Sequence, residues 1–244
     1  MTGPENPARM YAAAIFDMDG LLLDSERPIR DAWLLAAQEA GVALSEAGYL
    51  TVVGANEADS RTALTDLLGG DAAYLRVQAR ADVLLRVHEQ RIGYPAKTGA
   101  GEILALLGAR GVACGVASST RRAEVRRRLD AAGLGGYFRS ISGGDEVARG
   151  KPNPDLFLLA ADRLQVEPAA CLVFEDTERG ATGALAAGMS VVIVPDLKRP
   201  GPAIQAACIG VLHSLADALQ HCEAWFGPAT GAAQPRRDSG DGRD

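Results

Sequence analysis

The chain has 244 residues, 48% hydrophobic and 23% charged, as expected for a globular protein with a substantial core in one large domain or two modest ones. A formal net charge of −6 speaks against a nucleic acid or an anionic membrane as partner, but leaves room for a small anionic ligand held by a local positive site. Cys114, Cys171, Cys208 and Cys222 are far apart without metal-ligand spacing, so free thiols and a cytoplasmic setting are expected, and MTGPENPARMY does not read as a secretory signal.

Residues 1–9 are polar and expected to be disordered. The apolar run from Ala12 then ends in Asp17 and Asp19, with Gly20 directly after. Such a run reads as a buried strand, and alternate residues leaving it face one pocket. Two carboxylates so close repel each other and lose hydration, so a cation or a reaction must compensate. Asp17 can act as a nucleophile on phosphorus, and Asp19 as a general acid and base. A surface turn is the plain alternative. A calcium loop is excluded, because Leu21, Leu22 and Leu23 stand where oxygen ligands are required.

Four helices are predicted next, without a strand between them. The first is capped by Asp24 or Ser25 and turns Ile29, Trp33, Ala37 and Ala40 to one face. The second runs from Ser45 to Val53. The third is capped by Asn56, with Leu64, Leu67 and Leu68 inward, and the fourth runs from Asp71 to about Ile92, with Leu75, Leu84, Leu85 and Val87 among its apolar positions. Strands then alternate with helices: 112–118, 140–142, 171–174 and 191–194 as strands; 101–109, 121–132, 154–164 and 180–187 as helices. This implies an α/β fold, a Rossmann-like and mostly parallel sheet with an inserted all-helical unit. The expected division is 10–26 plus 96–226 as core and 27–95 as cap, with 227–244 too rich in Gly, Pro and charge to order itself.

Ligands of such sheets bind at the carboxyl ends of the strands. The strand ending VASST places Ser118, Ser119 and Thr120 where hydroxyls and helix amides hold a phosphate oxygen, or merely cap a helix. In GKPNPD, two prolines present Lys151 rigidly, if it is not simply a solvated lysine. FEDTERG puts Glu175 and Asp176 at a buried strand end, which is unusual without a cation. The arginines at 121, 122, 126, 127 and 128 read as a solvated helix face rather than a nucleic-acid patch.

Together, the Asp-x-Asp-Gly, Ser, Lys-Pro-x-Pro-Asp and Glu-Asp-x-x-x-Gly segments resemble the haloacid dehalogenase superfamily of phosphohydrolases, over nearly the whole chain to Trp225. DGLLLDSE, residues 19–26, is similar to the branch holding sugar-phosphate phosphatases and beta-phosphoglucomutase, with a helical cap after the first strand. The resemblance implies Asp17 as nucleophile, forming an aspartyl phosphate, and Asp19 as acid and base. It implies Mg²⁺ on the Asp17 carboxylate, the Asp19 carbonyl and Asp176, with Glu175 nearby, and Ser118 and Lys151 holding the phosphoryl group. Asp17, Asp19 and Asp176 facing a phosphate dianion sum to about −5, which Mg²⁺ and Lys151 lower to about −2. Ser25, Glu26, Asn56 and Arg61 are the candidate substrate contacts, beside Ser119.

The expected function is therefore Mg²⁺-dependent hydrolysis of a small phosphomonoester, a sugar phosphate first, by a monomer without nucleic-acid or membrane partners. A phosphomutase of the beta-phosphoglucomutase type is the near alternative. Those mutases carry a histidine twelve residues after the nucleophile and an arginine in a Gly-x-Ser-Arg segment, where this chain has Ile29 and GANE. A non-catalytic sugar-phosphate sensor is the distant alternative, although it should have lost Asp17, Asp19 or Lys151. A dehalogenase proper needs neither Asp19 nor Asp176.

Overall fold

The computed structural model describes residues 10–55 and 57–228, and Glu57 through its backbone alone. The expectations for 1–9, 229–244 and Asn56 lie outside the described residues. The first strand, β1 (Ala13–Phe16), is buried throughout and becomes the middle of a six-stranded sheet. It pairs in parallel with β2 (Ala113–Ser118) on one side and β4 (Cys171–Glu175) on the other. β3 (Ser140–Gly143) extends the sheet beyond β2, and β5 (Ser190–Ile193) and β6 (Gly210–Val211) extend it beyond β4, giving the order β3-β2-β1-β4-β5-β6. All pairings are parallel. The sixth strand, two residues long, went unanticipated because so short a segment carries no alternation to read.

Parallel strands covered on both faces are apolar along their whole length, as AAIF and CLVFE are. Phe16 stacks on Phe174 at 4.9 Å, on the face covered by α5 (Ala100–Ala109) and α6 (Arg122–Ala131). Ile15 and Val173 face the other way, into Phe157 of α7 (Asp155–Leu164) and Ala181 and Ala184 of α8 (Glu178–Ala186). Three short helices, α9 (Pro202–Ala207), α10 (Leu215–Ala218) and α11 (Cys222–Phe226), close the sheet, and Phe226 and Cys222 join the first face.

Between β1 and β2 stand α1 (Glu26–Glu39), α2 (Glu46–Tyr49), α3 (Glu57–Leu68) and α4 (Asp71–Arg91), which bury a core of their own. Ala36 and Ala37 keep α1 close to α4, where Tyr74, Val77 and Ala81 are buried. The expected second helix shrinks to one turn. Leu67, Leu75 and Val87 prove exposed, because the inward stripe is set by Leu64, Leu68, Tyr74 and Val77 instead. The chain enters and leaves this unit through two touching segments. Asp24 N donates to Pro95 O at 2.9 Å and Lys97 N to Leu22 O at 2.9 Å. No described helix is long and apolar enough to cross a membrane.

Candidate active site

β1 continues to β2 and β3 on one side, and the chain then returns to β4 on the other. The carboxyl end of β1 is therefore the point where the strand order reverses and the flanking loops part. A cavity of about 110 Å³ opens there, lined by Asp17, Asp19, Glu26, Ser118, Ser119, Lys151 and Asp176, with Ile29, Gly54 and Ala55 from the helical unit. A space of that size suits a phosphoryl group and an ion rather than a whole sugar.

The floor is built on Lys151, whose Lys151–Pro152 peptide is cis. The residue is 1% exposed, and Nζ donates to Asp17 Oδ1 at 2.6 Å and Glu175 Oε1 at 2.5 Å. Burial opposes the ammonium, but the Asp17 and Glu175 charges outweigh it and raise its pKa. The other Glu175 oxygen accepts from Asp176 N, Thr177 N and Thr177 Oγ1, at 2.9 to 3.0 Å. Both Glu175 oxygens are thus committed. Gly180, in the first turn of α8, leaves the room that Glu175 occupies, for a Cβ there would collide with its carboxyl.

Asp17 and Asp176 are less satisfied. No hydrogen bond reaches Asp17 Oδ2 among the described residues, and Asp176 Oδ1 is buried without a partner. Burial, reinforced by Glu175 and Asp19 against the pull of Lys151, pushes Asp17 up to about 8. Burial and the Glu175 and Asp17 charges likewise hold Asp176 well above the usual carboxylate range. Asp17, Glu175 and Asp176 offer oxygens within 4.8 Å of one another. Buried, mutually repelling, hard oxygen donors with one orphaned lone-pair site fit a hard divalent cation. Gly20, with φ of +80°, takes the chain past this group, where any side chain would strike the Asp176 carboxylate.

The rim is organised by Asp19. Its Oδ1 accepts from Ser25 Oγ at 2.7 Å and Arg128 Nη1 at 3.0 Å, and its Oδ2 from Thr120 Oγ1 at 2.8 Å. Ser25, expected as a helix cap or substrate contact, begins α1 without a side-chain capping bond and gives its hydroxyl to Asp19. Arg128 corrects the reading of the arginine run as a solvated face. It lies 4.8 Å over the Tyr94 ring and pairs with Asp19 and Glu124. A signal existed in its place on α6, one position from buried Leu129 and three from buried Val125. Ser118 Oγ accepts from Thr120 N at 3.1 Å, and Ser119 Oγ is buried without a partner at the pocket wall.

Glu26 also lines the pocket, where burial and the Asp19 and Asp17 charges push it up to about 8. Arg61 does not join the others. It lies exposed in α3, 5.5 Å over the Tyr74 ring and 3.9 Å from Asp71.

Residues 11–188, which contain all the pocket's acids and Lys151, match the haloacid dehalogenase-like hydrolases. The chain belongs to this family. Among curated relatives, it is 33% identical over 189 residues to the fructose-1-phosphate phosphatase YqaB of Escherichia coli, covering 75% of this chain and 96% of that one. It is 29% identical over 217 residues to a phosphorylated carbohydrates phosphatase of Thermotoga maritima, covering 87% and 90%. A haloacid dehalogenase family hydrolase from Deinococcus radiodurans, solved with bound phosphate and sodium, superposes with a TM-score of 0.70 at 27% identity, over 91% of this chain and all of that one. The family thus accounts for the core sheet with its inserted helical cap.

Proposed function

We propose that this haloacid dehalogenase-family chain is a Mg²⁺-dependent phosphatase of small phosphorylated sugars that works through a phosphoryl group carried on Asp17. The observation that carries this reading is the Asp17 carboxylate itself, fixed through Oδ1 by a buried lysine while Oδ2 stays unclaimed at the end of the central strand. That oxygen attacks phosphorus, the P–O bond to the sugar breaks, and the departing oxygen takes a proton. Lys151, which the Asp17 and Glu175 charges keep cationic, faces the charge that builds on the phosphoryl oxygens. The hydroxyls of Ser118 and Ser119 meet the same group from the end of β2. Asp19 supplies the proton and then removes one from the water that hydrolyses the acyl phosphate, once its carboxyl turns from Arg128 toward the cavity.

Asp17, the Asp19 carbonyl and Asp176 would hold Mg²⁺, with Glu175 braced behind them because both its oxygens are engaged. When bound, the ion would neutralise these acids and polarise the phosphoryl oxygens. Residues 27–95 act as a cap that excludes water during the first transfer and admits it for the second. The names of the two curated phosphatases support a sugar ester as leaving group. Hydrolysis is favoured over isomerisation because Ile29 and Ala55 line the cavity on the cap side, offering no charge to a second phosphate.

Release of phosphate from an aryl phosphate and from fructose 1-phosphate, with and without EDTA, tests the reading. Turnover is expected to require Mg²⁺ and to vanish in Asp17→Asn. Undiminished turnover under either change would overturn both assignments. Phosphorus NMR of hexose phosphates supplied with the bisphosphate should show inorganic phosphate outpacing isomer exchange.

A further inference from the structure

A second and larger cavity, of about 360 Å³, adjoins the space over Asp17 at Asp176 and Thr177. Its walls come from both units. Leu50 and Val53 precede α3 in the cap, while Arg179, Lys198 and Arg199 belong to α8 and the loop after β5. Gly54 rests directly against the Thr177 side chain, so the two cavities share Asp176 and Thr177 as a partition. A molecule in the larger one meets Arg179, Lys198 and Arg199 where the smaller one presents Asp17, Asp19 and Glu26.

The charge of this seam is opposite to that of the chain. Three cations, Arg179, Lys198 and Arg199, line it against two acids, Asp176 and Glu178, in a protein of net charge −6. Lys198 and Arg199 form no ion pair among the described residues, and Glu178 of the same lining already accepts from Gly201 N at 2.8 Å. Arg179 is bound only at one end. Its Nη2 donates to Asp59 Oδ2 of the cap at 2.7 Å and to Lys151 O at 2.9 Å, while its Nε is buried with no acceptor. The Arg179 side chain is 34% exposed, and its guanidinium keeps donors beyond those two bonds for an anionic oxygen.

We propose that this seam is a binding site for a small organic molecule with two or more acidic groups, held by Arg179, Lys198 and Arg199 with its carbon skeleton against Leu50 and Val53. Its volume falls in the range of metabolite pockets, and its apolar wall with few convergent polar groups is the usual composition of such sites. The occupant touches the arginine that ties the cap to the backbone of Lys151, so it sits on the contact that opens when the cap moves.

Metal-free protein helps to separate this site from the first. In EDTA the phosphoryl pocket lacks a metal cation to set against Asp17, Asp19, Glu26, Glu175 and Asp176, and comparison of the parent with Asp17→Asn tells whether an anion sits there. Isothermal titration in EDTA with fructose 1,6-bisphosphate, with citrate, and with uncharged fructose is the experiment. One-to-one binding of at least one polyanion and none of fructose is expected. The bisphosphate and citrate arms separate phosphate from carboxylate ligands. Lys198→Glu with Arg199→Glu should weaken binding by at least about tenfold. Thr182→Trp, from the α8 wall, should block the cavity without altering charge. Circular dichroism establishes that each variant is folded, and Asp17→Asn should bind as the parent does. No binding up to about 10 mM, or affinity surviving both the charge reversal and Thr182→Trp, would overturn the proposal. Tighter binding by Asp17→Asn would do so too, by placing the anion over Asp17.

Discussion

The floor and the rim of the phosphoryl pocket are both made of paired charges, yet they are built in different ways. On the floor, Asp17, Lys151 and Glu175 are almost wholly buried, and each lysine contact goes to a carboxylate oxygen that no other described residue reaches. At the rim, Asp19 has three donors from three elements, and Arg128 and Ser25 share one of its oxygens. Removing a floor partner strands a buried charge, whereas removing a rim partner leaves others in place. The difference separates fixed parts of the site from movable ones.

Lys151→Ala tests it with the largest expected effect. By analogy with loss of one oxyanion donor, kcat/KM should fall by about a hundredfold to a thousandfold, and stability by about 3 to 5 kcal/mol, because Asp17 and Glu175 lose their shared cation. Steady-state kinetics and thermal melts measure the two. A loss under about threefold would make Lys151 a structural lysine only.

Arg128→Ala should cost about tenfold in kcat/KM, and Ser25→Ala or Thr120→Val about two- to fivefold each, near 0.4 to 1 kcal/mol. If any one of the three matched Lys151→Ala, the distinction between floor and rim would be erased.

Glu26 stands where floor and rim meet, and it gives a pH signature in stability rather than a loss of turnover. Its pKa is near 8 in the folded chain against 4.5 ordinarily, so the folded state binds the proton more tightly. The stabilisation is complete below about 4.5 and is lost as pH rises toward 8. Glu26→Gln is free of that loss. In metal-free protein its unfolding free energy should match the parent near pH 4.5 and exceed it at pH 8 by about 1 to 2 kcal/mol after allowance for partial exposure, read from denaturant titrations. A variant less stable than the parent at pH 8 would show that ionised Glu26 is instead satisfied.

Much of the floor was legible because strand ends speak plainly. An apolar run closed by an acid marks both the place and the direction of Asp17 and of Glu175. The rim was harder. Ser25 is a good cap by residue type, and only the fold shows that its hydroxyl goes to Asp19 instead. Arg128 stood in a run of arginines whose neighbours Arg122 and Arg127 are about half exposed, so its inward turn depends on the helix phase relative to Tyr94, which is distant in sequence. In the cap, weak amphipathicity misplaced Leu67 and Leu75, because its centre is filled by Ala36, Ala37, Tyr49, Tyr74 and Ala81 around Leu64 and Leu68. Arg179 was hidden for another reason: its partners are a backbone carbonyl and a residue 120 positions away.

The room left at position 180 carries a consequence for anyone varying this chain. Helix preference favours alanine over glycine by about 1 kcal/mol, so a stabilisation scheme working from propensity would place alanine in the first turn of α8. Here the sign reverses, because the added methyl competes with the Glu175 carboxyl for one volume. Displacing that carboxyl would release one contact of Lys151 and the amides of Asp176 and Thr177 together. In a saturation library, position 180 would therefore behave as though it touched substrate, while lying behind the wall of the cavity.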